Sequence, residues 1–274
     1  RKVVEIKHDH VPAQMSLAKI YIIRDLHDKA LNALHTVVDI EPEIFEAHLE
    51  LGRIYHHRNA LEKSVEAYRS AIKIRPEAPQ AHVELAEVYL NLDKNDQAIA
   101  EYKLALDIDP SLSEALANLG DLYNMSEHYE LAGNCYRRLV EMDPQNHSAR
   151  FRLAETCYHS GQLEKALDEY LKVAEINEER TDALIRLGKI YASLEKWEDA
   201  AKYYVRVFET DPQNSMIHLE LGKAYDHLNR LTDALHEFEA ALEREPNNPE
   251  ILTQIGLIHR KQGNLDMAIE RFSR

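Results

Sequence analysis

Prolines recur along this chain at a fixed step. Pro42, Pro76, Pro110, Pro144, Pro212 and Pro246 are all separated by 34 residues or a multiple of it. The same step links Leu17, Leu51, Leu85, Leu119, Leu153, Leu187, Leu221 and Ile255. Each of these is followed by Ala or Gly, from Ala18 and Gly52 to Gly256, and in most copies a tyrosine stands three residues beyond that small residue, as in Tyr21, Tyr55 and Tyr89. A second small series runs Ala30, Ser64, Ala98, Ala132, Ala166, Ala200, Ala234, Ala268. A second aromatic series runs Tyr68, Tyr102, Tyr136, Tyr170, Tyr204, Phe238, Phe272. The period continues without insertion or deletion, and a period of this length marks stacked supersecondary units.

The spacing within one period predicts two helices. Leu85, Ala86 and Tyr89 share one helical face, as do Ala98, Tyr102 and Ala105. Turn formers Asn59, Asp93, Gly161, Asn229 and Gly263 end the first helix. The proline ends the second, because its ring cannot continue one. Small residues let the two helices approach, and the large aromatic fills the space beside them. One pair has too little core to stand alone, so neighbouring pairs must stack.

Over essentially the whole chain this pattern resembles the tetratricopeptide repeat family. The resemblance implies an all-α, right-handed superhelical solenoid of helix-turn-helix repeats. The repeats are 11–44, 45–78, 79–112, 113–146, 147–180, 181–214, 215–248 and an incomplete 249–274. Residues 1–10 match the tail of a preceding repeat, so the chain looks cut from a longer array with uncapped ends that fray or stack end to end on another copy. Cys157 and His259 stand where Tyr is expected. Glu178 stands where Pro is expected and predicts a less abrupt helix end there.

Composition narrows the function. The formal net charge of -15 excludes the basic face that nucleic acid requires and disfavours anionic membrane surfaces. No apolar run approaches the roughly 20 residues of a membrane span, so no membrane insertion is expected. No signal peptide is visible, and two cysteines, Cys135 and Cys157, fit a reducing, cytoplasmic setting. The chain begins at Arg1, which leaves room for a targeting segment ahead of it. Neither a phosphate-binding glycine loop nor an HExxH motif occurs. His56 and His57 are adjacent and so point apart on a helix, while His48, His82 and His218 share one repeat position and read as rim packing. Cys157 reads as a small core residue; His159, two residues on, points elsewhere. No catalytic residue, cofactor or metal is expected.

In the tetratricopeptide family the first helix of each repeat lines the concave face, where ligands lie. By that resemblance the fifth position gives an apolar stripe: Met15, Leu49, Val83, Ala117, Phe151, Ile185 and Leu219, ending at Thr253. The ninth gives Lys19, Arg53, Glu87, Asp121, Glu155, Lys189 and Lys223, basic then acidic then basic, with Glu114 added to the acidic middle. These residues predict a groove for a protein or peptide segment with apolar anchors and basic residues near its centre. Two other readings stay open: stripe residues that pack between neighbouring helices, and a charge order without meaning on a solvated face. The carboxylate clamp of chaperone-tail binders is missing, because position five carries no lysine in any repeat. So is the asparagine ladder of arrays attached to O-GlcNAc transferases, since position six carries Asn at Asn118 alone. The expected function is a non-catalytic scaffold or adaptor. The alternatives are a substrate-selecting arm of a larger enzyme and a self-assembling structural protein.

Overall fold

The computed structural model describes residues 10–177, 180–210 and 215–273. Among them are sixteen helices and no strand. The first four repeats supply the pairs α1 (Val11–Ile23) and α2 (His27–Ile40), α3 (Phe45–His57) and α4 (Leu61–Ile74), α5 (Pro79–Asn91) and α6 (Asn95–Ile108), α7 (Ser113–Met125) and α8 (Tyr129–Met142). The last four supply α9 (His147–His159) and α10 (Leu163–Ile176), α11 (Thr181–Ser193) and α12 (Trp197–Thr210), α13 (Ser215–His227) and α14 (Leu231–Arg244), α15 (Pro249–Lys261) and α16 (Leu265–Ser273). They form two compact bodies, 1–142 and 143–274, of four repeats each. Within each body the helices of a pair pack together, and each second helix packs on the next first helix. The repeat tail expected at 1–10 lies, apart from His10, outside the described residues.

Every first helix ends the same way. A residue in the left-handed region follows it at Asp25, Asn59, Asp93, Glu127, Gly161, Glu195, Asn229 and Gly263. The next amide then bonds back to the carbonyl of the position-eleven residue, as Ala60 to Tyr55 at 2.8 Å and Gln162 to Cys157 at 2.9 Å. This Schellman closure satisfies carbonyls that the helix end would otherwise leave bare. Second helices close on an extended residue before the proline, Glu41, Arg75 and Asp109 among them. The less abrupt end expected near Glu178 is not seen: α10 stops at the usual position and Asn177 is extended (φ -138°, ψ 93°). Its backbone leaves the helix before residue 178, so proline is not required for the stop; Glu178 itself is outside the described residues.

The second aromatic series is the core. Tyr68, Tyr102, Tyr136, Tyr170, Tyr204 and Phe238 are fully buried. Gly52 admits the Tyr68 ring so closely that a Cβ there would lie 2.6 Å from it, and Gly222 admits Phe238 at 2.5 Å. Cys157 is buried, as its place in the first aromatic series requires. In α16, Leu265, Ile269 and Phe272 are exposed.

Candidate protein-binding surface

The fifth-position residues are mostly packed. Met15 leans on the cluster around Ala18, Leu34 and Leu51, and Leu49 on Phe45, Ala71 and Ala81. Leu219 packs against the cluster around Phe238. Phe151 lies between the Arg180 guanidinium, 4.0 Å from its ring centre, and the edge of Tyr170 at 5.6 Å. Ala117 and Ile185 are half-buried. Val83 is 1% exposed, because α5 buries every residue from Ala81 to Ala86. It offers a partner no surface.

Four of the ninth-position charges have hydrogen-bonded partners inside the protein. Arg53 on α3 grips Glu84 on α5, with Nε 2.9 Å from one carboxylate oxygen, and also meets Glu50 at 2.8 Å. Glu155 on α9 receives Arg186 from α11 at 2.7 and 2.9 Å and the Tyr170 hydroxyl from α10. Asp121 accepts the Tyr136 hydroxyl at 2.6 Å. Lys223 reaches Glu250 at 2.7 Å and Glu220 at 3.2 Å. Lys19 is exposed, and its charge helps to hold the Glu46 carboxyl low. Lys189 is half-buried.

One rule joins these contacts. The two bidentate pairs join the ninth position of one repeat to the sixth position of the next, 31 residues on. Within the two bodies the same offset sets Lys19 against Glu50 and Lys189 against Glu220 in sequence. At this offset Arg53 and Glu155 meet opposite charges in the next repeat, while the counterpart of Lys223 is the neutral Gln254.

Glu87 breaks the rule. Its counterpart 31 residues on is the neutral Asn118, whose amide donates to the Tyr102 hydroxyl at 3.1 Å. Glu87 instead shares a hydrogen bond with Glu114 of α7 and lies in the field of Glu84. Burial, then these two carboxylates, push its pKa up to about 7. Glu84, Glu87 and Glu114 line an open depression of about 420 Å³ with Arg53, His56, His57, Tyr68 and Gln80, contributed by α3, α4, α5 and α7. His56 is tied to Asn91 at 2.6 Å, and burial lowers its pKa. No group of three or more His, Cys, Asp or Glu placed to hold a metal occurs among the described residues. No helix among them is long and apolar enough to cross a membrane.

Sequence-family comparisons agree with this architecture. Tetratricopeptide repeat models match residues 52–93, 79–112, 185–249 and 237–270, and the model for anaphase-promoting complex, cyclosome, subunit 3 matches 125–207. No curated protein matches significantly in sequence. Among solved structures, YrrB, described as "a TPR protein with an unusual peptide-binding site", is 23% identical over 69% of this chain and 97% of its own, with a TM-score of 0.60. MamA is 24% identical over 59% of this chain and 95% of its own, with a TM-score of 0.56. A chain of the Naa15/Naa10 complex bound to HypK-THB is 16% identical, with a TM-score of 0.67; the match covers 90% of this chain and 38% of that one. The chain belongs to the tetratricopeptide repeat family. Arrays of this kind are in general protein-interaction scaffolds.

Proposed function

We propose that the chain is a non-catalytic scaffold or adaptor arm that holds a protein or peptide segment against its first helices. A basic residue of that segment sits at Glu87 and Glu114, with apolar residues beside it. One observation carries this reading: where neighbouring repeats pair opposite charges, the third and fourth bring two carboxylates together in an open depression. A lysine or arginine placed there replaces the repulsion with charge-assisted hydrogen bonds. A peptide-binding role is in keeping with the description of YrrB, whose fold this chain shares. The half-buried fifth-position residues serve as the apolar floor, and their exposed parts are where anchors would rest.

Selection of displayed random peptides on the immobilised protein tests the proposal. The expected winners carry Lys or Arg flanked by apolar residues, and they are lost on the Glu87→Lys/Glu114→Lys variant. Winners without a basic residue, or ones that bind this variant equally well, would contradict it.

A further inference from the structure

His82, at the fourth position of the third repeat, is 5% exposed, and both of its ring nitrogens face acceptors. Nδ1 lies 2.7 Å from the Glu101 carboxylate of α6, and Nε2 lies 3.1 Å from the Pro76 carbonyl in the turn that leads into α5. A neutral imidazole offers one donor and serves one of these acceptors; the imidazolium serves both. The fifth repeat repeats the site with a different side chain. There Arg150 donates to Glu169 at 2.8 Å and to the Pro144 carbonyl at 3.0 Å. Arginine is always charged, so this second copy defines the position as a two-donor cation site. In the second repeat His48 keeps the carbonyl contact, to Pro42 at 2.8 Å, but the residue equivalent to Glu101 is Ala67.

We propose that His82 is a proton-operated clasp: doubly protonated, it ties α5 to α6 and to the turn joining the second and third repeats, and loss of one proton opens that joint. The inference goes beyond partner binding and rests on the paired acceptors alone. The charged groups around the ring are accounted for. Glu101 faces it from α6. Glu84, on α5 itself, is turned to Arg53 of α3, and Arg75, following α4, is turned to Glu46 at 3.1 Å. The hydrogen bond to Glu101 outweighs burial and raises the ring's pKa above its ordinary value. A folded value above the unfolded one gives stability that is fully present below about pH 6.5 and is lost as pH rises through the folded value. Arg150 holds its own joint at every pH. Because α5 also carries Glu84 and Glu87, an open clasp slackens one wall of the candidate surface.

Ring-nitrogen NMR of uniformly labelled protein, with the His82 ring assigned through its own backbone correlations, tests this directly. The expected result is a two-donor imidazolium at neutral pH whose titration midpoint is displaced upward from about 6.5. The urea midpoint is expected to fall between pH 7 and 9, and to fall less in His82→Arg. A neutral single tautomer at pH 6.5 would overturn the proposal. An equal fall in both proteins would overturn it as well, and the NMR result stands even where the variant does not fold.

Discussion

At the residue scale, the fixed register makes some positions accept side chains that do not suit them. Glu127 and Glu195 occupy the left-handed turn position at φ 59° and 57°, where Asn, Asp or Gly stands in the other repeats. The left-handed region costs a side-chain-bearing residue about 1–2 kcal/mol, and glycine's extra unfolded-state freedom takes back about 0.5–1. Glu195→Gly is therefore expected to stabilise by about 0.5–1 kcal/mol, read as a higher urea midpoint; an unchanged midpoint would contradict the register argument. Gly52→Ala acts in the opposite sense, because its Cβ would meet the buried Tyr68 ring at 2.6 Å. Overpacking of this kind costs about 1–3 kcal/mol. The turn residues show how far sequence carries. Asn59 and Gly161 are readable as helix stops from their chemistry. Glu127 and Glu195 are readable only from the period, since glutamate has no preference for that conformation.

At the scale of elements, the pairing of successive first helices decides what the inner charges do. Periodicity puts Arg53 and Glu155 on first helices, but their partners come 31 residues later, and no pattern within a single helix reveals them. Val83 was concealed for a related reason: periodicity marks one apolar face, while α5 is covered on several. Arg186→Met is expected to destabilise by about 1–3 kcal/mol, since it leaves the Glu155 carboxylate without its guanidinium in a partly buried place. The reciprocal exchange Glu155→Arg/Arg186→Glu should recover part of that loss. A double-mutant cycle measures the coupling, and additive effects would show that the pair contributes nothing.

At the scale of the whole molecule, the repeats within each body pack on their neighbours, and the third and fourth bring two carboxylates together. Such arrays unfold piecewise as repeat number grows, so the heat-capacity transition should be broader than a two-state transition of the same enthalpy. The carboxylate pair also has a pH signature. Glu87 has a folded pKa of about 7 against an ordinary 4.5, so the folded chain holds its proton between those values. Its contribution to stability is complete below about pH 4.5 and is lost as pH rises to 7 and beyond. A bound cation reverses the preference, because it favours the carboxylate and expels the proton. The central claim is that this carboxylate pair receives a basic residue. Calorimetric titration of a selected lysine-centred peptide at pH 6 and pH 8 tests it most directly. Proton release and weaker binding are expected at pH 6, with both effects lost and affinity reduced about tenfold, some 1.4 kcal/mol, in a folded Glu87→Gln variant. Equal affinity for wild type and variant at both pH values, with no proton released, would contradict it.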